Sequence, residues 1–208
     1  MTYKTPFLVY QHFLTSEECS RIATTTRVEP DVDSEGVPQL MNRAHEESEQ
    51  LIFGKFKQVI PHIEEHFGVE YRTTETMQFH QFPVSNSKLA EQPHCDSAQY
   101  KRKKWVRVSG RDLTCILWLK DYQDQYPFDL KKEVYGGKLE FPVYQFSFQP
   151  QAGTLVVFPS CERFIQATTA VLVGELQLAK FFVHSKNVWL YDPANFPGDF
   201  RTWFQDVV

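Results

Sequence analysis

From Gly68 onward the sequence stops reading in helical steps. The runs Tyr71 to Phe82, Asp112 to Lys120, Lys138 to Pro142, Tyr144 to Gln149, Thr154 to Pro159 and Glu175 to Val183 are short, β-rich and punctuated by turn formers. No helical segment of crossover length lies between them, so the strands are expected to pair mainly antiparallel. A sheet of this extent closes or doubles on itself, as in a jelly roll.

Two helices are expected ahead of this sheet. After a short strand at Phe7 to Tyr10, Thr15-Ser16-Glu17-Glu18 forms a Thr-x-x-Glu capping box, which predicts a helix through about Thr25. Residues Arg27 to Val37 carry Pro30, Gly36 and several acids, and Pro38 follows; they read as a solvated loop separating the helices. The second helix is the clearest element, because Ile52, Phe56, Val59, Ile60, Ile63 and Phe67 recur at helical spacing. Gly68 is its natural stop, and Pro61 removes one backbone bond within it. The fold class is therefore mainly β with N-terminal helices (α+β). It is expected as one domain: helical support over 1–68, a barrel over 69–183, and an arm over 184–208. Trp189, Tyr191, Phe196, Phe200, Trp203 and Phe204 should pack that arm back onto the body.

Composition excludes several classes. Of 208 residues 42% are hydrophobic, with 18 Phe, 9 Tyr and 4 Trp, which supplies a core and excludes general disorder. A net charge of -4 gives no global attraction to nucleic acid or to anionic membrane. No apolar run is long enough to span a bilayer, and Met1 to Pro6 does not open a signal peptide. Cys19, Cys95, Cys115 and Cys161 form no C-x-x-C pair and read as free thiols, so a soluble, cytoplasmic protein is expected.

Chemistry concentrates in Glu91-Gln92-Pro93-His94-Cys95-Asp96-Ser97. On extended backbone, His94 and Asp96 project to the same side, as two ligands of one octahedral metal must. Cys95 between them lacks a partner base and reads as a filler of the pleat. Downstream come Gly136-Gly137-Lys138-Leu139-Glu140-Phe141-Pro142, then Pro150-Gln151-Ala152-Gly153-Thr154-Leu155-Val156-Val157-Phe158-Pro159, then Val171 and Gly174 before the last strand. In this order, with the helix pair, residues 7 to 183 resemble the prolyl 4-hydroxylase type of Fe(II)- and 2-oxoglutarate-dependent dioxygenase.

The resemblance implies a double-stranded β-helix holding Fe(II) on two histidines and one carboxylate, with open positions for oxygen and 2-oxoglutarate. His94 and Asp96 would supply two ligands and the catalytic centre. The third ligand in such proteins is a histidine, followed eight residues on by Gly and ten on by an arginine that clamps the cosubstrate. Anchoring that register on Val171 and Gly174 places Gln166 at the histidine and Leu176 at the arginine. Both departures strike chemistry: an amide is a weak oxygen donor, and leucine offers no charged fork to a carboxylate.

Compensating groups are few. Lys180, Lys138 and Lys120 each lie on an expected strand and could meet 2-oxoglutarate, although an outward, solvated lysine is the plain expectation for each. His80 and Phe82 occupy the region where the family places a cosubstrate-contacting tyrosine, with core or rim roles the simpler reading. His184 would need a rearranged barrel to reach a metal. His62 and His66 share a helix face but lack a third ligand. Finally, Tyr100-Lys101-Arg102-Lys103-Lys104-Trp105-Val106-Arg107, with Arg111 beyond, reads as a solvated loop whose place beside the barrel mouth keeps it a candidate substrate or partner surface.

Two functions compete. One is a dioxygenase that hydroxylates a peptidyl or small-molecule carbon. The other is an inactive oxygenase-fold module serving as a binding or structural component among other protein subunits, in a particle such as a virion.

Overall fold

A computed structural model describes residues 4–32, 38–149 and 151–203. The chain opens with β1 (Leu8–Tyr10) and α1 (Ser16–Thr25), followed by β2 (Arg27–Val32), β3 (Pro38–Arg43) and α2 (Glu46–Phe67). The strands β4 (Tyr71–Thr74), β5 (Gln78–Pro83) and β6 (Leu89–His94) come next. A hairpin of β7 (Ala98–Lys101) and β8 (Lys104–Arg107) then precedes β9 (Leu113–Trp118). After β10 (Asp121–Tyr122) come β11 (Glu133–Gly136), β12 (Leu139–Phe141), β13 (Phe146–Phe148) and β14 (Leu155–Pro159). The last strands are β15 (Gln166–Thr169), β16 (Val171–Val173) and β17 (Glu175–Ser185), before the short α3 (Phe200–Trp203).

The expected capping box forms: Thr15 Oγ1 accepts from the Glu18 amide, and the Glu18 carboxylate accepts from the Thr15 amide. Gly68 ends α2 in the left-handed region at φ 66°. The segment from Arg27 departs from expectation, since β2 and β3 form an antiparallel hairpin that joins β5 through Asn42 opposite Phe79. Proline is tolerated there because β2 is the edge of its sheet, where an absent amide costs little. Residues 33–37, with Gly36, lie outside the described residues, as do Pro150 and Phe204.

The main sheet runs β1-β14-β9-β17-β5-β3-β2, with β4 also on β17, and a second sheet runs β13-β12-β15-β6. Pairing is antiparallel except between β10 and β11. The long strand β17 shows how the two layers are built, because its alternate residues serve different cores. Ala179, Phe181 and Val183 face the helices and join Ile22, Ile52, Phe56 and Phe67. Leu176 and Leu178 face the second sheet and join Trp118, Leu139, Phe141 and Phe158. This is the double-stranded β-helix buttressed by helices that the sequence leads one to expect. In the described part of the C-terminal segment, Trp189 Nε1 donates to the Phe67 carbonyl at 3.0 Å, and Tyr191 stacks on buried Phe196. Among the described residues no helix is long and apolar enough to cross a membrane.

Candidate functional site

The pairing of β6 with β15 sets His94 directly opposite Gln166, and Asp96 follows two residues beyond the end of β6. The three groups singled out by spacing and register therefore meet between the two sheets. A fourth group joins them. Lys180 continues the Leu176, Leu178 series on the inner face of β17, and its side chain is only 5% exposed. The plain expectation of an outward lysine is corrected here by parity along the strand: two residues beyond an inward leucine, the side chain must also point inward.

Asp96 is the hub. Its side chain is 5% exposed, and Lys180 Nζ lies 2.9 Å from Oδ1. Thr114 Oγ1 donates to Oδ2 at 2.8 Å, and Gln166 Nε2 donates to the same oxygen at 2.5 Å. Since the Thr114 hydroxyl proton is committed to Asp96, the Ser160 hydroxyl donates to Thr114 across 2.8 Å. Burial pushes the Asp96 carboxyl up, but the Lys180 ammonium beside it more than reverses this and holds it well below the usual carboxylate range. Thr114 and Ser160 were not singled out in the sequence; their only signal is a hydroxyl within a buried apolar run.

His94 completes the cluster from the rim. Its Nδ1–H donates to the Gln92 carbonyl at 2.9 Å, which leaves the Nε2 lone pair facing Lys180 Nζ at 3.0 Å. Asp96 Oδ1 and Glu91 Oε1 stand 3.4 and 3.6 Å from the same nitrogen, and Glu91 also accepts from Thr168 Oγ1.

This donor set does not fit a ferrous ion with a bound 2-oxo acid. Both Asp96 oxygens are taken up by protein donors, and the Gln166 amide presents nitrogen to the carboxylate while its buried Oε1 has no partner. An ammonium already stands against both His94 and Asp96. Among the described residues no group of three or more His, Cys, Asp or Glu side chains is arranged to hold a metal.

The cosubstrate side is filled as well. Leu176, at the position the resemblance gives to an arginine, is 1% exposed and packs so closely on Gly137 that a Cβ there would lie 2.9 Å from its Cδ2. His80, opposite Leu178, stacks on Phe82 at 5.8 Å, and burial holds its imidazole below the ordinary value with Nε2 unpartnered. The cavity remaining among His80, Glu91, Trp118, Thr168, Leu178 and Lys180 has a volume of about 10 Å³, which is room for about one water.

The other candidates lie elsewhere. Lys120 is buried and bonds the Lys131 carbonyl, and Lys138 reaches over the Tyr122 ring. His62 meets the Tyr10 hydroxyl and His66 the Thr5 carbonyl. Cys95 donates to the Ala98 carbonyl. His184 stays at the far end of β17, 2.9 Å from Glu75, whose carboxylate also receives a two-pronged bond from Arg111 at 2.8 Å. Burial pushes Glu75 up, yet Arg111 and His184 together bring it below its ordinary 4.5. A depressed carboxyl stabilises the fold above its unfolded value and loses that contribution as pH falls through the folded one. Unfolding midpoints of wild type and Glu75→Gln should therefore converge below about pH 4.5; a gap of constant size from neutral to acid pH would show that this cluster contributes nothing.

The basic run is a β-hairpin rather than a loop. Tyr100 faces Trp105 across it, with ring centroids 5.5 Å apart. Arg102 and Lys103 form its tip at φ 49° and 65°. Lys101, Arg102, Lys103 and Lys104 are exposed, and Tyr100 and Trp105 are 63% and 39% exposed. Arg107 is different: it is tied to Asp112 at 2.6 Å and to the carbonyls of Ser109 and Trp189, so it belongs to the scaffold. A cleft of about 220 Å³ lies beside the hairpin, lined by Trp105, Arg107, Trp189, Leu190 and Tyr191.

Comparison with solved structures gives the same architecture. The chain is similar to the viral collagen prolyl hydroxylase vCPH from Paramecium Bursaria Chlorella virus-1, determined as a 2OG complex, with TM-score 0.58, 14% identity and coverage of 88% of this chain and 97% of that one. A Pseudomonas putida prolyl-4-hydroxylase matches with TM-score 0.55, 17% identity and coverage of 89% and 95%. The prolyl hydroxylase of Trichoplax adhaerens, in complex with a hypoxia inducible factor oxygen degradation domain peptide fragment, matches with TM-score 0.57, 12% identity and coverage of 88% and 84%. No family model and no curated protein matches the sequence. The fold is thus that of the prolyl 4-hydroxylase-like oxygenases.

Proposed function

We propose that this chain is an oxygenase-fold module without oxygenase chemistry, acting by binding as a recognition or structural component among other protein subunits. One observation carries the reading: the space left between the sheets beside Lys180, where a dicarboxylate cosubstrate would need room, is a cavity of about 10 Å³ lined by Trp118, Gly137, Leu139 and Leu178. A fold retained after its pocket has closed can still serve through its surface. The exposed cations Lys101 to Lys104 and the aromatic cleft between hairpin and arm support a partner surface with acidic and apolar side chains.

The test is turnover and binding together. Purified protein given Fe(II), ascorbate and 2-oxoglutarate with proline-rich peptides should release no succinate above the protein-free blank. Millimolar 2-oxoglutarate should leave the unfolding midpoint unchanged. Succinate formed in step with a hydroxylated product would overturn the proposal and restore the dioxygenase reading.

A further inference from the structure

We infer that the Lys180 ammonium is a built-in cation that has taken over the electrostatic place of a metal ion between His94 and Asp96, and that it excludes divalent metals from this site. The inference rests on the non-catalytic reading and adds the means by which metal is kept out. Lys180 Nζ is 2.9 Å from Asp96 Oδ1 and 3.0 Å from His94 Nε2, the two atoms a metal would have to share. Those atoms are 3.4 Å apart. An ion about 2.1 Å from each would stand roughly 1 to 4 Å from the ammonium nitrogen, against an unscreened like charge.

The substitution is coherent in charge as well as in space. A carboxylate 5% exposed requires a cation, and Lys180 is the one that reaches it. His94, held with Nδ1–H on the Gln92 carbonyl, offers its lone pair to the ammonium as it would to a metal. Thr114 and Gln166 saturate the other carboxylate oxygen, so the cluster is complete with one fixed positive charge. Loss of the third histidine and gain of an inward lysine are then two halves of one replacement.

Co²⁺ alone, followed by its visible absorption and by titration calorimetry, tests this directly. Wild type should take up no Co²⁺ at concentrations that load Lys180→Ala one to one, and the variant should bind at least about 10- to 100-fold more tightly. Adding Asp96→Asn to that variant should abolish the gain, which locates the ion. Should Lys180→Ala not fold, Lys180→Gln removes the charge while keeping an N–H donor for Asp96, and it should show the same gain. Equal Co²⁺ affinity in wild type and variants overturns the inference. So does a folded variant that binds none, an outcome that leaves the non-catalytic reading intact because that reading rests on the filled cosubstrate space.

Discussion

Lys180→Met is expected to cost about 3–5 kcal/mol of unfolding free energy, because it leaves the Asp96 carboxylate buried without its cation. Asp96→Asn should cost a similar amount by stranding the ammonium at the same depth, where Lys180 is 4% exposed. The pair together should recover most of the loss, since a methionine and an amide can share the space without an uncompensated charge. Urea titration with unchanged slope and a shifted midpoint is the measurement. Losses that simply add would show that the two groups do not depend on each other, and a Lys180→Met cost below about 1 kcal/mol would place the ion pair among the weak surface kind.

Gly153→Ala should be nearly as damaging, for a reason that lies in the backbone. Gly153 has φ 79°, and a Cβ there would lie 2.1 Å from the Leu14 carbonyl oxygen. Its amide donates to the Trp118 carbonyl at 2.8 Å and its carbonyl accepts from the Leu14 amide at 3.2 Å, so the position joins the start of β14 to the end of β9 and to the entry of α1. The left-handed conformation alone costs an L-residue about 1–2 kcal/mol, and displacing the carbonyl brings the expected loss to about 3 kcal/mol or more. Thermal unfolding of the purified variant reads it; a midpoint within a degree or two of wild type would mean that the contact with Leu14 relaxes freely.

These two positions mark what was and was not legible in the sequence. Gly153 stands in a Pro-x-x-Gly-x-Leu-x-x-Phe-Pro run whose pattern reports packing, and packing patterns such as Ile52 through Phe67 or Leu155 through Phe158 translated directly into core. The meeting of Gln166 with His94 was legible only through the family resemblance, whose spacing anchored on Val171 and Gly174 put Gln166 at the third-ligand position; the strand pairing that sets the two residues opposite each other has no local signal. Lys180 was misjudged because the usual outward habit of lysine was weighed above its place in an alternating strand, two positions past Leu178. The hairpin β2–β3 was hidden by Pro30 and Pro38, which argue against a strand interior, but Pro30 lies on the edge strand and Pro38 is the first residue of β3. The hairpin β7–β8 was hidden because its tip is Arg102-Lys103, whereas turns with two positive φ values ordinarily advertise themselves with Asn and Gly. The filled cosubstrate space had no local signature, since it depends on Leu176, Gly137 and Trp118 arriving together from three separate strands or turns.

The inward lysine also bears on how the last strand finds its alignment. Slipping β17 by one residue against β9 and β5 would carry the ammonium to the opposite side of the sheet, among Ile22, Ile52, Phe56 and the other apolar side chains beneath the helices, and away from Asp96. Leucines at 176 and 178 would tolerate such a shift, being oily on either side. A single charge at position 180 therefore discriminates the correct alignment from its neighbours more sharply than the hydrophobic residues around it.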